Sequence, residues 1–587
     1  MTSVATGGSQ AFTAAVTGTS NTTVTWSMVG GSSNGTIDAT GKFTAPTAVP
    51  SPNTVTVQAT SQADPTKQGT ASVTITAASQ PVTQAAATRF LEQSTFGPTQ
   101  TLVAQVQQSG FAPFLSTQFA ANVSTYADPS ATDVMNNNQV PTEQAVFTNA
   151  LNNPDQLRQR VAFALSEMWV ISGISVPVSG IPPYLRLLTQ DAFANYRQIM
   201  YDITLSPGMG NYLNMVNNDK LNATLNTEAN QNYAREIMQL FTLGVYKLNQ
   251  DGSLQMSGGN PVPTYTQSDV VALANAFTGW TYPTAPGATL QKHNPAYWLG
   301  PMVALDSNHD TSAKTILGTA LPAGQTAAQD LGGTATAPNG ALDILFNNAS
   351  LPPFVSKQLI QHLVSSNPSA AYVKRVADVF VSGSFDGFGS GQRGDMQAVI
   401  AAILLDPEAR RGDSPATTVA TDGHLREPIL FIANLLRAFG ATSDGVAPVN
   451  LANSLGQPVM RANSVFNFYP PNYVIPGSNP QLLGPEFDLQ TTATSLARIN
   501  LVNSFAFSSI GSGTTVSFAA YANMAGTPST LINTLNALLL HGTMSSSTQA
   551  SVLAAVNAVA AGSNQNTLRA ETAIYLIASS SQYQIEQ

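Results

Sequence analysis

Asn232, Arg235, Glu236 and Gln239 recur at i, i+3, i+4 and i+7, a spacing that puts all four on one face of a helix. Tyr233, Ile237, Leu240 and Phe241 fall on the opposite face. A carboxyl beside a guanidinium and two amides can act as acid, base or ligand, with Arg235 setting the ionisation of Glu236. The same four residues also make an ordinary structural ion pair or solvated face, and the spacing alone leaves both readings open. Further carboxylates are Asp269, Asp310, Glu427 and Glu486. Glycoside cleavage uses two carboxyls, one protonated and one ionised, and aromatic rings give sugars a platform. Trp280, Trp298, Phe468 and Tyr469 are the candidate platforms. Thr266 with Asp269 three residues on reads instead as a capping box, and Glu427 before Pro428 reads as a helix start.

The five histidines, His293, His309, His362, His424 and His541, form no H-E-x-x-H or H-x-H pattern, and there is no cysteine. Zinc held by a dense local motif is therefore unsupported, and no metal ligand is assigned. His309-Asp310 is the best remaining pair, either as an Asp-oriented imidazole or, less favourably, as part of a metal site; His362 has a packed or capping role as its default. Gly31-Ser32-Ser33-Asn34-Gly35 matches Gly-x-Ser-x-Gly but lies between two strands, not at a strand-to-helix turn. No phosphate-cradling glycine loop is present, so no cofactor is identified.

The elements that must position these groups follow from composition and periodicity. Only 9% of the 587 residues are charged, 43% are apolar, and the net charge is −9. A core is affordable, the surface is polar without being charged, and a nucleic-acid partner is disfavoured because no basic stripe is available. The longest apolar run, Val161 to Val170, is too short to span a membrane and is interrupted by Glu167. Composition of this texture suggests export, secreted or periplasmic, with a signal peptide removed.

Residues 1–78 alternate with period two in Val24–Met28, Thr54–Val57 and Ala71–Ile75, with turn clusters between them, which predicts an all-β sandwich. Its motif order, including Gly41-Lys42-Phe43-Thr44-Ala45-Pro46, resembles the bacterial Ig-like domains, which most often act as spacers. Residues 79–86 read as a linker. From 87 to 587 the period becomes helical, and a large, irregular all-α domain of a dozen or more helices is expected. Predicted helices include one capped by Thr83, one from Pro154 to Ile171, and others over Glu228–Leu243, Gln267–Phe277, Phe354–Ser365, Met396–Leu405 and Pro428–Phe439. Two stretches, 281–339 and 463–489, read as long loops that line a cleft.

Ordered motifs across this second segment carry a resemblance. Ala87-Thr88-Arg89-Phe90-Leu91-Glu92, Leu157-Arg158-Gln159-Arg160-Val161, Asn232-Tyr233-Ala234-Arg235-Glu236, Arg426-Glu427-Pro428, Leu455-Gly456-Gln457-Pro458 and Ser464-Val465-Phe466-Asn467-Phe468-Tyr469 occur in the order of the bacterial domain-of-unknown-function 1800 family, which the chain resembles from about 85 to 587. The resemblance implies an exported protein and little about activity. One departure stands out: the family commonly has an acidic residue where Gln231 stands. The leading expectation is a polysaccharide-active enzyme using carboxylate acid/base chemistry, with Glu236, Arg235, Glu427, His309 and Asp310 as catalytic candidates. Asn232, Gln239, Trp280, Trp298, Phe468 and Tyr469 are the substrate-binding candidates. The alternatives are a non-catalytic extracellular protein that binds a cell-surface glycan or a protein partner, and a metal-dependent phosphate or sulfate ester hydrolase.

Overall fold

The computed structural model describes residues 2–76, 82–332, 339–419 and 421–586. Residues 79–81 of the linker expected at 79–86, and part of the loop expected at 281–339, lie outside them; the rest of that linker holds Thr83 and the start of the helix Gln84–Ser94. The chain divides into two compact units, Met1–Val82 and Thr83–Gln587.

The first unit is strand-rich. Thr2–Ala5 runs parallel to Gln68–Thr76, which pairs antiparallel with Thr54–Ser61, and that strand pairs with Val24–Val29 in the register Trp26 to Ala59. A second sheet joins Ser9–Ala11, Lys42–Thr44 and Thr36–Ile37. Period-two alternation puts Val55 and Val57 on one face with Val73 and Ile75 of the next strand, and Phe43 of the second sheet packs into the same core. Trp26 is half-buried at the margin of this core. Gly35 has φ +106, and a Cβ there would meet the Phe43 ring at 2.6 Å, so glycine is what lets the turn close over the core.

The second unit is helical, with twenty-four α-helices among the described residues. Local signals placed many of them well. Thr83 accepts from the amide of Ala86, Thr266 and Asp269 form the reciprocal capping box, and Met396–Leu405 has the expected bounds. The body is not purely helical, because short ladders stitch it together, such as His424–Leu425 with Ile585–Glu586. The stretch expected as a loop at 281–339 holds the strands Val303–Ala304, Lys314–Ile316 and Thr319–Leu321 and the helix Ala327–Leu331.

The helix expected over Glu228–Leu243 is shorter and changes type. Asn232–Glu236 is α-helical, and Ile237–Thr242 continues as a π-helix in which the Thr242 hydroxyl caps the Ile237 carbonyl. The wider turn breaks the 3.6-residue register, so Gln239 leaves the stripe that Asn232, Arg235 and Glu236 begin.

Candidate active site

Helix Gln156–Met168 carries Arg160 and Glu167 seven residues apart, two turns along one face, and that face is buried. Helix Leu351–Leu363, begun by Pro352 and Pro353, brings His362 in its last turn to the same place, where the His362 carbonyl accepts from Nη2 of Arg160 and its Nδ1 lies 3.3 Å from Oε2 of Glu167. Glu427 stands just before helix Pro428–Ala438. It does not cap that helix; its carboxyl turns inward.

Four side chains then close on one another. The amide oxygen of Gln457 accepts from the backbone N–H of Ile429 at 3.0 Å, satisfying a free donor in the first turn of Pro428–Ala438. This orients the amide so that Nε2 donates to Oε1 of Glu167 at 3.1 Å and also to Oε2 of Glu427. Tyr469 Oη lies 3.1 Å from Oε2 of Glu167 and 2.9 Å from Oε2 of Glu427. A phenol has one hydrogen to give. If Tyr469 donates to one carboxylate, its contact with the other is a hydrogen bond only when that carboxyl carries a proton. The two carboxyls are also close enough for each to shift the other's proton affinity. Glu167 and Glu427 thus form a pair bridged by Tyr469 and Gln457, and both Tyr469 contacts are hydrogen bonds when one of the carboxyls is protonated.

The electrostatics agree with the hydrogen count. Burial pushes Glu427 up to about 8, with the neighbouring Glu167 adding to it. Burial raises Glu167 to about 7, against the stabilising influence of Glu427 and Tyr469 and the charge of Arg160. Burial lowers His362 to about 4, so its ring is neutral at pH 7. Two carboxyls that titrate near neutrality, as a coupled pair, are poised for acid–base work.

Two small cavities flank the pair, and Glu167 lines both. One, about 40 Å³, is walled mostly by apolar groups such as Phe96, Phe163, Met460 and Phe468. The other, about 70 Å³, is lined by His362, Gln358, Asn467, Phe466 and Glu486. Each has room for a few waters or one small polar group, not for a polymer passing through.

Beyond this centre lies a lattice of buried charge. His424 sits between Glu486, 3.2 Å away, and Glu586, 3.7 Å away on the partner strand of its ladder. Burial opposes its charge, but Glu586 and Glu486 outweigh that and hold His424 up at about 10; His424 in turn holds the buried Glu586 down at about 2. Glu92, on the first helix of this unit, meets Arg426 and His541, both at 2.7 Å, and Asn434 at 3.1 Å.

The residues expected from sequence are distributed differently. Glu427 and Tyr469 belong to the buried pair, and Phe468 lines a cavity beside Glu167. Tyr469 is buried and joins two carboxyls, so it offers no face to a sugar. Trp280 is likewise 4% exposed, in a strand paired with Val303–Ala304, and is no platform. Trp298 packs edge-on against Tyr282 and borders a separate groove with Asp191 and Asp202.

Glu236 is mostly buried with Oε2 unpartnered, and burial raises its pKa against the opposing pull of Arg235. Arg235 bonds Gln267, which in turn bonds Gln231; Asn232 bonds Asn214, and Gln239 accepts from Tyr265. His309 and Asp310 do not act as a pair. The His309 ring is fixed between the Thr278 carbonyl at 2.9 Å and Asp330 at 3.0 Å, and Asp330 also takes Lys314 at 2.8 Å, whereas Asp310 closes a turn onto Ser312. Asp269 is held by its capping box and by the amide of Leu317. Among the described residues no group of three or more His, Asp or Glu side chains is arranged to hold a metal ion.

Sequence reasoning passed over Glu167, Gln457, His362 and Arg160 as working groups. The signal was visible for one of them: a lone glutamate inside the longest apolar run of a chain this poor in charge is either paired or functional.

The fold and the site together define a helical protein with a buried acid pair. The model for the family described as "Protein of unknown function (DUF1800)" matches residues 89–585, and the chain belongs to that family. No curated protein and no solved structure matches it.

Proposed function

We propose that the helical unit is an acid–base hydrolase working at the Glu167–Glu427 pair on a neutral, hydroxyl-rich substrate, with glycan ends as the substrate class. The observation that carries this reading is the pair itself: two carboxyls bridged by one phenol and one amide, both with raised proton affinity, at the wall of a cavity. The Tyr469 hydroxyl and the Gln457 amide occupy the space between the two carboxyls, so these cannot flank a glycosidic bond from opposite sides. The pair therefore acts from one side, as a single store that gives a proton to a leaving oxygen and takes one back from water. Amide and aromatic groups at the cavity walls, with few charges, favour an uncharged substrate, and the small volume admits only its reacting group, with the rest of a chain end outside the cavity. The strand-rich unit, read as an Ig-like spacer, and the low-charge surface fit an exported protein.

The test is turnover of a panel of neutral oligosaccharides by the wild type and by Glu427→Gln and Glu167→Gln. Loss of about 10²–10⁴-fold in either variant is expected for removal of a general acid–base group. Turnover unchanged in both variants would discard the pair.

A further inference from the structure

Glu427 is 2% exposed and borders neither cavity, so a proton stored on the pair needs a carrier to reach a reacting atom. Glu167 stands between the cavities, and its Oε2 is already engaged by Tyr469. The group beyond it is His362. Its Nδ1 is 3.3 Å from that same Oε2, the ring lines the cavity of Gln358, Asn467 and Phe466, and Nε2 has no protein partner among the described residues.

We propose that His362 is the catalytic residue that carries the pair's proton to the substrate, with Arg160 as the positioning residue that anchors it. This rests on the acid–base reading above. In the resting state Glu167 is protonated and faces Nδ1 at 3.3 Å, a contact that closes to a hydrogen bond as the proton passes, while the neutral ring carries its hydrogen on Nε2. When the bond to the leaving oxygen breaks, the Nε2 hydrogen passes to that oxygen and Nδ1 takes the Glu167 proton, leaving a carboxylate and a neutral ring of the other tautomer. A water then adds its hydroxyl to the substrate carbon and its proton to Nε2, and the Nδ1 proton returns to Glu167. The ring changes tautomer twice, and the protein ends each cycle as it began.

The surroundings suit a neutral relay. The groups facing the ring are Glu167, Glu427, Glu486, Arg160, His424 and Tyr469; burial, with the charges of Arg160 and His424, outweighs the carboxylates and keeps the ring uncharged. A neutral imidazole between a carboxyl and a cavity can pass a proton by exchanging tautomers, without the ring itself taking a charge. Arg160, on the helix that also carries Glu167, bonds the His362 carbonyl and so fixes the ring's helix against the carboxyl it must reach.

The test reads the ring directly and needs no substrate. In the full chain labelled with ¹⁵N-histidine, the His362 signals are assigned from His362→Gln and followed from pH 5 to 9. The expected result is a ring that stays neutral while its hydrogen moves from Nε2 to Nδ1 as the pair loses its protons, around pH 7–8. In Glu167→Gln the switch should vanish, and in Glu427→Gln a single step should remain. A wild-type ring with one fixed tautomer, or a switch that persists in Glu167→Gln, would overturn the relay. Failure on the oligosaccharide panel with the switch intact would overturn the substrate class and leave the relay standing. If Glu167→Gln does not fold, as judged by circular dichroism, Glu427→Gln supplies the decision: two steps unchanged there overturn the coupling.

Discussion

Replacing Glu427 by Gln should change how the stability of the helical unit responds to pH, and the size of the change can be worked out. The folded carboxyl is raised from 4.5 to about 8. A group whose folded pKa is raised binds its proton more tightly in the native state, so its contribution is complete below 4.5 and is lost as pH rises through 8. At about 1.4 kcal/mol per pH unit, the wild type gives up about 4 kcal/mol at this position between pH 5 and 9. Glutamine cannot titrate, can still hydrogen-bond Tyr469, and escapes that loss. Apart from Glu167, whose own titration is coupled to Glu427, the other groups, including His424 and Glu586, are present in both proteins and cancel in the difference to first order. For a unit of roughly 500 residues the unfolding entropy is about 1 kcal/mol/K near the midpoint. The Tm of the variant should therefore gain about 4 °C on that of the wild type between pH 5 and 9, whatever the offset at pH 5. The assay is calorimetry or circular dichroism at half-unit pH steps. Tm curves that run parallel over this range would refute the claim that Glu427 is held protonated by burial.

Two other buried charge centres lead to separate expectations. Glu586→Gln removes one counter-charge of His424 and should cost about 3–5 kcal/mol in urea unfolding at pH 6. The deficit should shrink as pH falls toward 2, because a carboxyl held low contributes stability only above its folded pKa and loses it on protonation; a deficit that grows on acidification would contradict the pairing. Asp330→Asn leaves His309 buried without its carboxylate and Lys314 with only Asp310, 3.4 Å away, and should cost about 2–4 kcal/mol; a loss below about 0.5 kcal/mol at pH 7 would show that this cluster does not brace the unit.

Features set by near neighbours were legible in the chain. Thr83 and the Thr266–Asp269 box announce helix starts because the cap and the amide it serves are three residues apart. Alternation found the strands around Val55 and Val73 because one face of each is buried. Glu236 drew attention for a local reason too, and the π-turn that follows it defeats the periodic argument, since no residue type marks where a helix widens. The buried pair was half legible. Glu427 and Tyr469 were both singled out, but as separate candidates. Their union depends on Glu167 and Gln457, which come from distant segments, and no spacing rule links them. Likewise His309 next to Asp310 suggested a pair, whereas the fold gives the ring to Asp330, which is reached only through the helix Ala327–Leu331.

The contacts of Glu92 have a consequence for how the protein is made. Its partners Arg426 and Asn434 lie 334 and 342 residues further along the chain. At about 5–20 residues per second a ribosome needs roughly 17–70 s to reach them. Throughout that interval the opening helix carries a glutamate destined for a dry interior and has no cation to meet it. The helical unit cannot settle from its beginning as it emerges, and prematurely terminated copies should be cleared by proteases as unfolded chains before any of them accumulates as a half-built domain.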